Sequence, residues 1–184
     1  MDITRHLYES RPRLDDICLE NVRPKNEDDI SDIKGCIAEE MVRYWLTRTK
    51  GVEIEHSFPK YADSYVMEKN SPSILISHLN HENKRHNMAD IDNFFFFEGE
   101  PYAVEVKSLK LNGVQGKLQD KLQYTQLFYD QQVNMLLLFP FYNNKRQHIE
   151  EIQKGFPKVT CIDSGYKKKQ LNNAIKRYIS NKYF

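Results

Sequence analysis

The chain has 184 residues, of which 40% are hydrophobic and 29% charged, and its formal net charge is +1. This length and composition predict one globular domain spanning residues 1–184, and they exclude a collagen-like or low-complexity chain. The longest apolar run, residues 135–141, contains Pro140 and is too short to cross a bilayer, so we expect no membrane partner.

The cysteines exclude several further classes of protein. Cys18, Cys36 and Cys161 stand far apart and form no CxxC pair. This pattern argues against a disulfide framework, a zinc ribbon and a cysteine-ligated iron–sulfur cluster. The first sixteen residues have no apolar segment of the signal-peptide type. We therefore expect an intracellular, cytoplasmic protein with reduced thiols.

The charge is unevenly distributed along the chain. Residues 108–184 hold 13 Lys and Arg against 5 Asp and Glu, whereas residues 1–107 hold 14 against 21. A basic C-terminal half beside an acidic N-terminal half suits a polyanion held over a metal site. Two solvated surfaces of opposite sign explain the charge alone equally well.

The N-terminal third predicts an extension, a helix and a strand. Residues 1–30 are polar and contain several prolines, which predicts an extension packed loosely on the domain. Residues 31–51 have apolar residues at helical spacing, with capping residues at the start and Gly51 at the end. Residues 52–58 predict a strand. Residues 59–88 predict an insertion with one irregular element, in which 73–79 is either a strand or a short helix.

The remaining elements follow from alternating or helical spacing of apolar residues. In order, they are a hairpin of strands 89–97 and 101–109, a helix at 113–132, a buried strand at 133–141, a short helix at 145–155, a strand at 158–164 and a basic helix at 166–180. The order α-β-β-β-α-β, followed by α-β-α, predicts an α/β protein with a central mixed sheet flanked by helices.

The predicted hairpin carries charges that buried strands normally avoid, because an unpaired buried ion costs several kcal/mol. Asp92 lies in the first strand, and Glu105 and Lys107 share one face of the second because side chains alternate. The hairpin brings these three groups together at one end of a sheet. Two carboxylates suit Mg²⁺ or Mn²⁺, and a nearby ammonium suits a phosphodiester whose charge grows during hydrolysis.

Two motifs resemble a known family. The pattern Asp92-x12-Glu105-Val106-Lys107 across a β-hairpin resembles the PD-(D/E)XK nuclease superfamily. The pattern KGxxAExxVR, at residues 34–43, resembles the first helix of archaeal Holliday-junction resolvases and related endonucleases. The resemblance covers residues 34–140 and implies a restriction-endonuclease-like core of order α-β-β-β-α-β.

The resemblance also implies roles for individual residues. Lys107 becomes the catalytic lysine, acting with Asp92 and Glu105. The implied ligands of Mg²⁺ or Mn²⁺ are Asp92, Glu105, the Val106 carbonyl and the helix residue Glu39. Asp90 is a further candidate, as ligand or as support for one, because it lies two residues before Asp92 on the same predicted face.

Polar and basic residues outside these motifs are candidate nucleic-acid contacts. They are Gln119, Lys121, Gln123 and Gln126 on the helix after the hairpin, Lys84 and Arg85 in a polar loop, and Lys167, Lys168 and Lys169 at the start of the last helix. An ordinary solvated surface is the alternative for all of them.

We expect a divalent-metal-dependent DNA endonuclease acting on branched or duplex DNA, with a homodimer as its usual form in the family. The alternatives are a RecB-like exonuclease, an RNA nuclease, and a nucleic-acid-binding module that keeps the fold without the chemistry. The exonuclease motif has a glutamine four residues before a tyrosine, where this chain has Thr125 before Tyr129. A solvent-facing ion pair between Glu105 and Lys107 is the purely structural alternative.

Overall fold

The computed structural model describes residues 2–70, 72–107, 114–140 and 146–183. The helices are α1 (Ile3–Glu9), α2 (Ile30–Arg48), α3 (Val114–Gln126), α4 (Arg146–Gly155) and α5 (Lys168–Tyr183). The strands are β1 (Val52–Ile54), β2 (Lys60–Ala62), β3 (Tyr65–Asn70), β4 (Ser73–Leu79), β5 (Arg85–Ile91), β6 (Asn93–Phe97), β7 (Glu100–Val106), β8 (Asn134–Phe139) and β9 (Val159–Asp163). The predicted element ends at Leu109, Gly113, Phe141 and Lys145 lie outside the described residues.

Five strands form a mixed sheet in the order β1-β6-β7-β8-β9. β6 runs antiparallel to β1 and β7, whereas β7, β8 and β9 run parallel to one another. Antiparallel neighbours accept a tight turn, and Glu98 and Gly99 provide one at positive φ. Parallel neighbours need a crossover, which contains α3 before β8 and α4 before β9. The prediction of an α/β protein with a mixed central sheet is confirmed at this level.

Helices and a second sheet cover both faces of the mixed sheet. On one face, α2, α5 and the N-terminal residues pack against Leu136, Leu138 and their neighbours. On the other face, α3, α4 and the second sheet pack against Met135 and Leu137. β8 is therefore apolar on both sides, as expected of a central strand in a parallel region.

The N-terminal residues pack more tightly than a loose extension would. Leu7 of α1 is completely buried, and the Trp45 indole donates a hydrogen bond to its carbonyl at 2.7 Å. Val22 is also buried, after two 3-10 turns at Leu14–Asp16 and Leu19–Asn21. The expectation of loose packing is wrong because the apolar residues between the charges point into the same core as α2.

Residues 60–91 form a second, antiparallel sheet in the order β2-β3-β4-β5. The expectation of one irregular element over 59–88 is therefore wrong, and 73–79 is a strand. The single strand predicted over 89–97 is also wrong, because it is two strands in two sheets. β5 ends at Ile91 opposite Ile74, and β6 begins at Asn93 opposite Val104. Asp92 lies between them.

Four of the five strands of the mixed sheet end at the same side of the sheet, and the fifth begins there. β1, β7, β8 and β9 end there at Ile54, Val106, Phe139 and Asp163, and β6 begins there at Asn93. We call this side the carboxyl edge. Ligands of open α/β sheets bind where parallel strands end, so we expect a binding site at this edge. In the part of the chain that the structure describes, no helix is both long and apolar enough to span a membrane.

Candidate active site at the carboxyl edge

Asp92 is fixed at the bend where the chain passes from the second sheet into the mixed sheet. Its backbone N–H donates to the Val104 carbonyl at 3.0 Å. In return, the Val106 N–H donates to Asp92 Oδ2 at 2.6 Å. The end of β7 therefore holds both the backbone and the carboxylate of Asp92, and the two halves of the motif stand side by side.

Glu105 is almost completely buried, with 3% of its surface exposed, and two ammonium groups bind it. Lys107 Nζ lies 2.5 Å from one carboxylate oxygen, and Lys121 Nζ lies 2.5 Å from the other. Because Lys107 is itself only partly buried, its ammonium lies at the rim of the site. The contact places the Glu105 and Lys107 side chains on the same side of the chain at the end of β7, with Lys107 one residue beyond the strand.

Lys121 belongs to the site and not to an outer nucleic-acid-binding surface. It is buried on α3, and besides Glu105 it approaches Asp90 Oδ1 at 3.3 Å. The buried Thr125 hydroxyl donates to the Lys121 carbonyl at 2.5 Å. Lys121 stands three residues after the buried Leu118 and four before Thr125, which places it on the face of α3 that packs against the sheet. That spacing is the sequence signal that marks Lys121 as buried.

Glu39 completes the group of carboxylates from the opposite side, on α2. Burial raises its pKa, the negative charges of Glu105 and Asp90 raise it further, and Lys107 works against them. Glu39 lies one helical turn from Arg43, as in the resolvase-like motif. Glu39 and Asp90 therefore reach the same centre from two elements that are distant in sequence.

The pKa values reflect repulsion among these carboxylates. Burial raises the pKa of Asp92 well above its usual value, and the charges of Glu105 and Glu39 add to the effect, although the Val106 N–H opposes it. Burial lowers the pKa of Lys121, but the charge and hydrogen bond of Glu105 outweigh burial, so that pKa is raised overall. The centre therefore stabilises added positive charge.

A cleft of about 500 Å³ opens beside these carboxylates. Asp92 and Glu39 line its inner end, and the side chains of Arg23, Arg43 and Lys69 line its walls. All three are exposed, and Arg43 is in addition held by a double hydrogen bond to Glu40. The cleft combines acidic groups at depth with basic groups outside, an arrangement that suits a phosphate ester.

The donor set suits a hard cation, but the carboxylates do not stand in a coordinating arrangement. Among the described residues, no three His, Cys, Asp or Glu side chains form a group that could hold a metal ion. The geometry explains this, since both oxygens of Glu105 face ammonium groups. The available donors are all oxygens on mutually repelling carboxylates, which fits Mg²⁺ or Mn²⁺ and not a softer metal.

The glutamines on α3 divide into two kinds. Gln119 and Gln123 are exposed, as a nucleic-acid contact requires. Gln126 instead closes the turn between α3 and β8. Its amide nitrogen donates to the carbonyls of Tyr129 and Gln131, and its amide oxygen accepts from the Val133 N–H at 2.8 Å. The expectation that Gln126 contacts nucleic acid is therefore replaced by a structural role.

The other predicted basic contacts lie on the surface. Lys84 is exposed and pairs with Glu82 at 2.5 Å, and Arg85 pairs with Glu68 across the second sheet. The three lysines 167–169 are exposed and follow the end of β9 at the carboxyl edge. Of these two groups, the lysines after β9 are the ones that share an edge of the mixed sheet with Glu105.

Comparisons with known proteins leave the chain unassigned. No family model and no curated protein matches it. One solved structure with some similarity is that of protein VC1899 from Vibrio cholerae, at 10% sequence identity and a TM-score of 0.44. The match covers 83% of this chain and 36% of that one, so the chain spans about a third of that protein's length. A likeness at this level carries no argument about function.

Proposed function

We propose that this protein is a divalent-metal-dependent nuclease that hydrolyses phosphodiester bonds within DNA. The observation that carries the proposal is the meeting of Asp92, Glu105, Glu39 and Lys107 at one end of the mixed sheet, from separate elements of the chain. A solvent-facing ion pair would not gather buried carboxylates whose charges raise the pKa values of Asp92 and Glu39. A site that binds a cation and a phosphate would gather such carboxylates.

The order of elements supports the PD-(D/E)XK assignment. The sequence α2-β1-β6-β7-α3-β8 has the α-β-β-β-α-β order of that superfamily, with β2–β5 inserted after β1. The sheet is antiparallel through β7 and parallel beyond it. A restriction-endonuclease-like core is therefore part of the proposal, together with the roles of the motif residues.

Each residue has a defined part in this proposal. Asp92 and Glu105 would hold Mg²⁺ or Mn²⁺, with Glu39, Asp90 and the Val106 carbonyl in support. When bound, such a metal polarises the phosphate and lowers the pKa of water. For Glu105 to become a ligand, one of its two ammonium partners has to release an oxygen.

Lys107 is the residue best placed to meet the substrate. Its ammonium lies at the rim, anchored to Glu105, where it can donate to a phosphate oxygen. Negative charge on that phosphate grows toward the transition state, and a fixed ammonium stabilises the extra charge. The partial burial of Lys107 strengthens this effect, since water screens it less than an exposed lysine.

A cleavage assay tests the proposal. Wild type, Glu105→Ala and Glu82→Ala are incubated with supercoiled plasmid, linear duplex, single strand and a four-way junction, in Mg²⁺, Mn²⁺ or EDTA. Glu82 belongs to a second ExK tripeptide that lies on the surface, so it is a matched control. We expect metal-dependent cutting in wild type and Glu82→Ala and none in Glu105→Ala. If Glu105→Ala cuts as fast as wild type, the assignment fails.

A nucleic-acid-binding protein without cleavage is the second candidate. The observation that favours it is the pairing of both Glu105 oxygens with lysines, which leaves the carboxylate charge already compensated. This candidate predicts salt-sensitive DNA binding that neither Mg²⁺ nor Mn²⁺ converts to cutting. The same assay, run beside a binding measurement in EDTA, separates the two.

A further inference from the structure

A second pocket, of about 250 Å³, lies at the far end of the carboxyl edge, beyond β9. Arg11 and Arg13 from the N-terminal segment line one side of it. Tyr166 and Gln170, on either side of the start of α5, line the other. None of these residues belongs to the cluster around Glu105, so the pocket is a separate feature of the molecule.

Hydrogen bonds and a cation–π contact between the N-terminal segment and the turn after β9 form the pocket. Arg11 Nη1 donates to the Ser164 carbonyl at 2.6 Å, and its guanidinium lies over the Tyr166 ring at 5.3 Å. The Tyr166 hydroxyl donates to the Pro12 carbonyl. Gly165 has φ +71°, a conformation that glycine adopts without strain. The Arg11 side chain is therefore held in place before any ligand arrives.

The charge around the pocket is positive. Arg13 is exposed in its wall, and the exposed lysines 167–169 follow Tyr166 directly. The acidic wall residue Asp15 is neutralised by an ion pair with Arg177 at 2.7 Å. The Asp163 carboxylate accepts the Gly165 N–H at 2.9 Å. The Asp16 carboxylate accepts the Arg13 backbone N–H at 3.3 Å, so Asp16 and Asp163 lie among the cations but are outnumbered by Arg11, Arg13 and the three lysines. This excess of cations favours an anion, and a guanidinium is suited to phosphate because it donates two parallel hydrogen bonds.

The pocket lies at the same edge of the mixed sheet as the candidate active site. Val106, Leu138 and Ile162 are in register across β7, β8 and β9, so the turn after β9 lies at the same edge as Lys107. Neighbouring strands are about 4.8 Å apart, which puts the end of β9 roughly 10 Å from the end of β7. A duplex rises about 3.4 Å per nucleotide, so this spacing corresponds to about three nucleotides.

We propose that this pocket, with Arg11 and Arg13 in its wall and Lys167 next to it in sequence, binds a backbone phosphate of DNA at least about three nucleotides from the bond that lies over Glu105. The inference rests on the proposed nuclease function for the second half of that statement. The binding site itself depends only on the pocket and its charge. The DNA would then run along the carboxyl edge, across the ends of the strands.

Salt-dependent DNA binding tests the inference. Fluorescein-labelled duplex is titrated in EDTA with full-length wild type, with Arg13→Gln/Lys167→Gln, and with Lys154→Gln/Lys158→Gln. The control pair removes the same charge, and Lys158 precedes β9 at the opposite edge of the sheet. We expect the slope of log K against log salt to fall by about 0.9 in the pocket pair, the value for one phosphate that is no longer neutralised, and to stay unchanged in the control.

Equal slopes in all three proteins, or an equal fall in both pairs, would overturn the inference. Lys167→Gln alone leaves the Arg13 loop untouched and serves if the first variant does not fold. Inorganic phosphate at matched ionic strength is the second arm. If it protects wild type from thermal unfolding while the DNA slopes are equal, the pocket takes a free phosphate and the inference is overturned.

Failure of the nuclease proposal gives a different result. Because EDTA removes cleavage from the measurement, the slope of the pocket pair can fall even if no metal yields cutting. That outcome retains the phosphate site and discards the nuclease. Cutting by wild type with equal slopes in all variants does the reverse.

Discussion

At the scale of single residues, Lys121 is important because it provides a second ammonium group for Glu105. Glu105 is divided between two ammonium groups, and the Lys121 partner is nearly as buried as the carboxylate itself. Removing one member of a buried ion pair is costly, because the remaining charge stays out of water. Lys121 therefore stabilises the fold while it competes with a cation for Glu105.

Lys121→Met should reveal both effects. We expect the free energy of unfolding in EDTA to fall by about 3 kcal/mol, the low end for a broken buried pair since Lys107 remains. Lys117→Met, on the exposed side of the same helix, should change it by less than about 0.5 kcal/mol. Urea unfolding of the three proteins measures the difference. Equal stability of the two variants would contradict the role assigned to Lys121.

Asp92→Asn should make the protein more stable at neutral pH. Burial and neighbouring carboxylates raise the pKa of Asp92 in the folded state, so the charged form destabilises the fold. The folded protein then binds a proton more tightly than the unfolded chain, and wild type gains stability as the pH falls through the raised pKa. The asparagine oxygen can still accept the Val106 N–H, so only the charge is removed.

Urea unfolding at a series of pH values measures this effect. We expect Asp92→Asn to exceed wild type at neutral pH, with the gap closing as the pH approaches about 4. Asp130→Asn, in the exposed turn after α3, is the control. A variant less stable than wild type at neutral pH would show that Asp92 is not repelled in the folded protein.

At the scale of elements, Gln126 shows how a helix end can determine a turn. Its amide makes three backbone hydrogen bonds between α3 and β8. Gln126→Ala should leave the buried Val133 N–H without this partner and cost about 1–3 kcal/mol in urea unfolding. Gln123→Ala, one turn earlier and exposed, should cost little. Lower DNA affinity with unchanged stability in Gln126→Ala would restore the nucleic-acid contact in place of the turn.

Some of these elements can be predicted from the sequence alone. The hairpin of β6 and β7 follows from Glu98-Gly99 between alternating runs, and helix α2 follows from its caps and apolar spacing. The contact between Glu105 and Lys107 follows from alternation alone. These features depend on neighbours in sequence, which is why pattern reasoning reaches them.

Other features depend on partners distant in the chain. The stretch 89–97 has no glycine or proline near Asp92, so it looks like one strand, and only pairing with Ile74 on one side and Val104 on the other divides it. Leu7 is likewise buried in a core that it shares with Trp45, which is distant in the chain. Gln126 looks like Gln119 in the sequence, and the carbonyls that engage its amide lie in the loop that follows.

At the scale of the whole molecule, metal binding should appear as stability. A cation that binds only the folded protein stabilises it by about 2.7 kcal/mol at a concentration of about 100 times Kd. We expect Mg²⁺ or Mn²⁺ to raise the thermal unfolding midpoint of wild type relative to EDTA, and not that of Glu105→Ala. Magnesium and manganese that leave the wild-type midpoint unchanged at every concentration would contradict Asp92 and Glu105 as ligands.

Basic residues lie near both ends of the carboxyl edge, and the carboxylates lie between them. Arg23 and Lys69 lie beside the cleft near β1, the carboxylates lie near β7, and Arg11 and Arg13 lie beyond β9. Long-range attraction therefore favours a polyanion laid across this edge, with its centre over the acids. The net charge of +1 does not reveal this arrangement, because positive and negative charges cancel in the sum.

The bend at Asp92 has a mechanical consequence. Glu105 belongs to the mixed sheet, and Asp92 is one of the two places where the chain passes between that sheet and the antiparallel one, the other being residues 55–59. Because β7 holds the backbone and the carboxylate of Asp92, a small rotation of the antiparallel sheet would move Asp90, on β5, and leave Asp92 and Glu105 in place. The distance of Asp90 from the other two acids is thus set by the angle between the two sheets, and a substrate that contacts Lys69 on β3 acts on that angle.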